Sequence, residues 1–294
     1  MFRKTVQWLN LLLSNAYLPG FWLGRIYKGK LKSVCVPGLN CYSCPGAIVS
    51  CPLGSLQASL GSTRLHLSFY VVGLLLAFGA FFGRFVCGFL CPFGLIQELL
   101  YKIPFLRPRK RTAKEALRWP RYIKYAVLAI FVIGMPALLA GASGVASPAF
   151  CKYICPAGTL TAGLPLLAAN SSLRAAAGTL FVWKLAVAAA IVLGCLLILR
   201  FFCKYLCPLG AIYGLFNRVA LYRLRLQPEK CVQCGACRRV CPMDVDPSRN
   251  PDSAECIRCG ECTRACAYSA LHAGFAHASC PAKPGARAGS PVAD

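Results

Sequence analysis

One cysteine spacing, written twice, restricts this chain more than any other feature. Cys231-x2-Cys234-x2-Cys237-x3-Cys241-Pro242 is followed by Cys256-x2-Cys259-x2-Cys262-x3-Cys266. Three closely spaced thiolates hold three corners of an iron–sulfur cubane, and in the bacterial two-cluster run the fourth cysteine crosses to the other cluster. Cys231, Cys234, Cys237 and Cys266 are therefore expected to hold one [4Fe-4S] cluster, and Cys256, Cys259, Cys262 and Cys241 the second. Gly235 and Gly260 supply turns in which backbone amides can face sulfur. The second run departs mildly, with Ala267 in the place of Pro242. Zinc also uses Cys-x2-Cys pairs, but eight cysteines in doubled register disfavour it. The expected unit is a small α+β bacterial-type 2[4Fe-4S] ferredoxin domain over residues 229–271, with a flexible tail over 272–294.

Residues 1–228 are of another kind. The whole chain of 294 residues is 57% apolar and only 14% charged, where soluble domains run near a quarter charged. Only Glu98 and Glu115 precede Glu229 among nine acidic residues, although the net charge is +24. Residues 66–83, 122–141 and 178–199 are long and apolar enough to cross a bilayer, which takes about 17–25 residues. Residues 6–23 form a weaker fourth candidate that can lie in the interface, and no small-x-small cleavage site follows it. Lys184 near the start of the third stretch is expected to snorkel. The expectation is an all-α membrane domain of three or four transmembrane helices with interfacial helices.

Lysine and arginine crowd the loop at 84–124 and follow the third stretch, whereas the loop between the second and third stretches holds only Lys152 and Arg174. Positive charge collects on the cytoplasmic side, so the 84–124 loop and the ferredoxin domain are expected in the cytoplasm. The protein is then a multi-pass protein of the cytoplasmic (inner) membrane. Arg25, Lys28, Lys30, Lys32 and Arg64 stand against the external placement of residues 25–64. The basic excess reads as topogenic charge and lipid contact. It flanks membrane stretches and no soluble face, so nucleic acid is not an expected partner.

A second cysteine pattern follows the apolar stretches. Cys87-x3-Cys91-Pro-Phe-Gly, Cys151-x3-Cys155-Pro-Ala-Gly and Cys203-x3-Cys207-Pro-Leu-Gly are full copies; Cys51-Pro-Leu-Gly is partial, with Ala47 four residues back. An i, i+4 spacing puts both sulfurs on one helical face, and the proline ends that turn or begins the next helix. Cys87, Cys91, Cys203 and Cys207 form an expected inner metal site. Cys151 and Cys155, with some of Cys35, Cys41, Cys44 and Cys51, form an expected outer site. One or two further iron–sulfur or metal centres would then join the two of the tail. Disulfides among Cys35, Cys41, Cys44 and Cys51 stay open, since that side is oxidising in many bacteria. Cys195, alone in mid-stretch, reads as a buried small apolar residue, and Cys280 as unstructured.

Cys87/Cys91, Cys203/Cys207 and the eight tail cysteines, within roughly residues 66–271, make the chain resemble the NapH/NosR-type membrane polyferredoxins. The resemblance implies an electron conduit between a quinone or cytoplasmic donor and an external reductase. Membrane lipid, a reductase or flavoprotein subunit and quinone are the implied partners. The third turn, Cys151/Cys155, and the 35–51 cysteines depart from that pattern, and no FMN-attachment domain is visible. No Ser/His/Asp or Cys/His nucleophile set, phosphate loop or dinucleotide fingerprint is present, so no catalytic residue is assigned. The architecture is also similar to copper-reducing assembly factors, since thiolates suit Cu(I). Only Met1, Met135 and Met243 and three histidines are available for copper traffic. A redox-sensing membrane regulator is the third reading, without a visible output domain.

Overall fold

The computed structural model describes residues 2–61, 68–103, 119–143 and 147–275. His66, His277, Cys280, Arg64, residues 104–118 of the basic loop and residues 276–294 of the expected tail lie outside them.

The chain opens with helix α1 (Phe2–Ser14), followed by an irregular segment that carries Cys35, Cys41, Cys44 and Cys51. Helix α2 (Pro52–Leu60) then begins on the proline of the partial cysteine turn. Pro at the first helical position lacks an N–H that the helix end leaves unpaired anyway. The same device starts α5 (Pro92–Leu100), which α3 (Phe69–Phe82) and α4 (Phe85–Phe89) precede. Among the described residues two helices are long and apolar enough to cross a membrane: α6 (Trp119–Leu139) and α7 (Thr179–Leu197). Helix α3 is apolar throughout, but its described part is 14 residues long. A third short helix on a cysteine turn, α8 (Pro208–Phe216), ends the helical part.

Helix α6 widens into a π-helical stretch at Leu128–Gly134, and a second such stretch spans Gly158–Gly163. Each lies just before a proline, Pro136 and Pro165. A proline inside a helix removes an N–H and clashes with the carbonyl of the preceding turn. A widened turn relieves that conflict.

The tail packs at one end of the helices. Arg258 donates to the Phe82 carbonyl at 3.1 Å, Arg121 to that of Met243 at 3.2 Å, and Lys204 to Asp244 at 2.5 Å. Strand β1 (Tyr222–Leu226) pairs antiparallel with β2 (Leu271–Phe275), Leu224 facing Ala273. This two-stranded sheet brings residues 222–226 into the same unit as the eight tail cysteines, beyond the expected limits of 229 and 271. Leu224 and Leu271 pack with Cys237, Cys256 and Cys262 in a core of their own.

A larger core fills the helical part. Leu53, Val86, Phe150, Phe202 and Tyr213 are fully enclosed there among Cys35, Cys51, Cys87, Cys91, Cys155 and Cys207. Residues 35–51 fold inward against this core. A Cβ on Gly38 would stand 2.7 Å from the Leu90 carbonyl, so only glycine lets this segment approach the Cys91 turn.

Candidate iron–sulfur sites

The tail repeats its backbone as well as its cysteines. Gln233 and Arg258 take left-handed φ values of 52° and 50° before the second cysteine of each run, and Gly235 and Gly260 take 68° and 75° after it. Asp244 and Ser269 repeat the conformation three residues past the fourth cysteine. These reversals aim backbone N–H groups at sulfur. Val245 N–H donates to Cys241 Sγ at 3.4 Å, Ala270 to Cys266 at 3.3 Å and Arg258 to Cys256 at 3.4 Å.

Two cavities sort the eight cysteines. One is lined by Cys231, Cys234, Cys237 and Cys266, the other by Cys241, Cys256, Cys259 and Cys262. Each fourth cysteine has crossed to the other run. The first set is partly open, with Cys234 exposed. The four thiols of the second are buried, and burial pushes Cys256 up to about 12.

The helical part gathers its cysteines in the same way. Cys87, Cys91, Cys203 and Cys207 are all buried, and Cys87, Cys91 and Cys207 share one apolar core. Burial pushes the Cys87 thiol up to about 12. Cys41, Cys51, Cys151 and Cys155 line a separate cavity of about 510 Å³. Cys35 and Cys44 stand outside that lining; Cys35 contacts Ser55 Oγ at 3.5 Å, and Cys44 lines a neighbouring, mainly apolar cavity with Cys41. Every described cysteine is a free thiol. Cys195 is buried and meets Gln97 Oε1 at 3.7 Å.

The donor chemistry fits iron–sulfur groups. Each set offers four thiols, and sets in both parts receive N–H donors on sulfur. A single zinc needs four donors at about 2.0–2.3 Å. Among the described residues no three His, Cys, Asp or Glu side chains converge closely enough to hold one ion.

Four basic residues belong to these sites, and sequence reasoning counts them only as flanking charge. Arg84 and Arg200 are fully buried. Arg84 donates to the Cys203 carbonyl at 3.0 Å and to Glu255 at 2.8 Å; Arg200 donates to the Cys87 carbonyl at 2.8 Å and to Glu98 at 2.6 Å. Lys124 pairs with the same Glu255, and Lys204 with Asp244. Buried charges of this kind must be paired: Arg84, Lys124 and Lys204 join the helices to Glu255 and Asp244 of the tail, and Arg200 ties Glu98 to the Cys87 turn. The sequence does carry a signal: Arg84-Phe-x-Cys87 and Arg200-Phe-x-Cys203 place an arginine three residues before each inner turn. Lys184, expected to snorkel, lines the cavity of Cys41, Cys51, Cys151 and Cys155.

Packing connects the sets. Cys237 shares a core with Cys256 and Cys262, and Cys241 and Cys259 share one with Cys87, Cys91, Cys207, Cys51 and Cys155. Tyr213 is enclosed in that second core, and its hydroxyl donates to the Pro37 carbonyl at 3.0 Å.

A family model for a 4Fe-4S binding domain matches residues 65–114, 128–169 and 179–227, each segment holding one full Cys-x3-Cys-Pro-x-Gly turn, and a second 4Fe-4S binding domain model matches 225–245. An uncharacterised protein of Methanocaldococcus jannaschii is 31% identical over 68% of this chain and 74% of its own length. The chain spans 61% of the length of another uncharacterised protein of that organism. The methylamine utilization ferredoxin-type protein MauN of Methylorubrum extorquens is 29% identical over 76% of this chain and 67% of its own. The ferredoxin-type protein NapH of Haemophilus influenzae is 25% identical over 80% and 70%. No solved structure matches the chain.

Proposed function

The chain belongs to the NapH-type polyferredoxins, and from that premise we propose that it conducts electrons through a membrane, between a cytoplasmic or quinone donor and an acceptor in or beyond the bilayer. The observation that carries this reading is the gathering of sixteen cysteines in four sets, with Cys237 of the first tail set packed in one core with Cys256 and Cys262, and Cys241 and Cys259 packed in another with Cys87, Cys91, Cys207, Cys51 and Cys155. Cys231, Cys234, Cys237 and Cys266 would hold the cluster nearest a soluble partner. Cys241, Cys256, Cys259 and Cys262 would hold the next. Cys87, Cys91, Cys203 and Cys207 would hold an inner membrane centre, and Cys41, Cys51, Cys151 and Cys155 an outer one. Bound [4Fe-4S] clusters supply one-electron chemistry, at potentials set by charge, hydrogen bonds to sulfur and exposure.

The remaining residues hold and insulate these sites. Arg84 and Arg200 offset negative charge at the inner set, and Lys184 does so at the outer one. Eleven of the sixteen thiols are buried, which keeps water from them. The apolar helices α6 and α7, with the positive charge at the tail's end of the bundle, favour a multi-pass membrane protein with the tail in the cytoplasm. Lys184 opposes the copper-handling alternative, because a fixed cation at the thiol cavity repels a bare metal ion.

The test is iron and acid-labile sulfide on full-length protein purified without oxygen. Four cubanes predict about sixteen irons per chain, with about four lost on joint replacement of Cys87 and Cys203 by serine. About eight irons, unchanged by that replacement, would confine iron to the tail and end the transmembrane reading. Copper in place of iron in the helical part would favour the metal-reductase alternative.

A further inference from the structure

We propose that Gln57 and Gln97 are matched positioning residues, each donating an N–H to one cysteine sulfur of a membrane centre and so raising that centre's reduction potential. The inference rests on the reading that the helical part holds iron–sulfur centres.

Both glutamines are fully buried. Each stands six residues after the cysteine of a Cys-Pro-x-Gly turn: Cys51 to Gln57 and Cys91 to Gln97. Each sits one turn into the helix that the proline starts, and each reaches across to the turn of the opposite half. Gln97 Nε2 donates to Cys203 Sγ at 3.0 Å and to the Phe93 carbonyl at 3.3 Å. Gln57 Nε2 donates to Cys151 Sγ at 3.5 Å and to the Leu53 carbonyl at 3.3 Å. The pattern is the same in both: one bond to the carbonyl four residues back, one to the first sulfur of the partner turn.

The amide orientation follows from chemistry. Gln57 Oε1 accepts the Phe150 N–H at 2.9 Å, and Gln97 Oε1 accepts the Cys203 N–H at 3.4 Å. A backbone N–H is only a donor, so the amide oxygen must face it. The NH2 group is left to face sulfur. A flipped amide would oppose two donors and abandon the sulfur.

The other two turns differ at this position. Six residues after Cys155 stands Thr161, and six after Cys207 stands Tyr213. Each set therefore combines one glutamine-bearing turn with one hydroxyl-bearing turn. This arrangement occurs twice, once with Cys151 and Cys155 and once with Cys203 and Cys207, as an internal repeat requires. A hydrogen bond to a ligand sulfur stabilises the more negative, reduced state, which shifts the potential upward.

The test uses full-length protein, purified without oxygen, carrying Gln97→Met, Gln97→Glu or Gln57→Met. Each keeps the side-chain length and removes the N–H donor. Midpoint potentials are read by EPR during a redox titration. Gln97→Met should lower the potential of one membrane centre, Gln97→Glu should lower the same one further, and Gln57→Met should lower a different one. Iron content should stay at the parent value. Unchanged potentials with full iron overturn the proposal. Loss of a membrane centre in both Gln97 variants also overturns it, leaving the amide a structural tie. A parent protein with iron only in its tail defeats the underlying reading instead, before either glutamine is at issue.

Discussion

Glu98 is one of only two acidic residues in the first 228, and it lies between two guanidiniums. Its carboxylate accepts from Arg3 at 2.7 and 3.1 Å and from Arg200 at 2.9 and 2.6 Å. The Arg3 and Arg200 side chains are 8% and 0% exposed. Replacing Glu98 by Gln keeps the shape and removes the charge. Removing one partner of a buried pair costs about 3–5 kcal/mol, because the remaining charge stays buried. Arg3 keeps a longer contact to Glu261 at 3.6 Å, and the remaining cost is relieved when α1 detaches and the guanidinium reaches water. At about 1.4 kcal/mol per tenfold, detachment of α1 should become more frequent by roughly two to three and a half orders of magnitude. Amide hydrogen exchange over Phe2–Ser14, in detergent without oxygen, measures this directly. The parent protein should show the same loosening in acid. Burial pushes the Glu98 carboxyl upward, but Arg200 and Arg3 overcome it and hold it below the ordinary range. A depressed carboxylate contributes stability that is present above its unfolded pKa, about 4.3, and lost as pH falls through the folded value. Exchange in the Gln variant should lack that acid step. An increase of less than tenfold at neutral pH, or an undiminished acid step in the variant, would refute the reasoning.

Cys241→Ser in the full-length protein should remove the centre held by Cys256, Cys259 and Cys262 and spare that of Cys231, Cys234 and Cys237; iron content and EPR together read which centre is lost, and loss of the other instead would deny the crossed ligation. Gly88→Ala should loosen the seat of the tail, because the added Cβ would stand 2.6 Å from the Ile257 carbonyl. Overpacking of this kind costs about 1–3 kcal/mol, so exchange should rise around residues 255–260 while Thr179–Leu197 stays as protected as before.

What the sequence made legible was local. The tail spacing sorts its own ligands because each loop is short and its turns are fixed by Gly235 and Gly260. The paired turns announce themselves for the same reason: proline, glycine and an i, i+4 pair specify a helix end whatever surrounds it. Strand β1 also carries its signal, an alternating Tyr-Arg-Leu-Arg-Leu with Leu224 inward, but its partner lies 45 residues on. The buried basic residues were hidden by ambiguity. An arginine at the end of an apolar stretch looks the same whether it faces headgroups or a thiol set, and only the repeated Arg-Phe-x-Cys distinguishes Arg84 and Arg200. The choice of Cys41 over Cys35 and Cys44 is tertiary. Ala47 occupies the place that a fourth cysteine holds in the complete turns, and the fold of residues 35–51 brings Cys41 to the cavity instead.

The exposure of the sets has a practical consequence for anyone handling the protein. Cys234 faces solvent, the second tail set and the inner helical set are buried, and the outer helical set is half-buried at Cys41 and Cys151. On the proposed reading, oxygen and chelators would first meet the set with an exposed thiol, Cys231, Cys234, Cys237 and Cys266. A preparation exposed briefly to air should lose its outermost centre first while keeping those in its interior. Its metal content would then record the duration of exposure, and the missing centre would be the one through which a soluble partner connects.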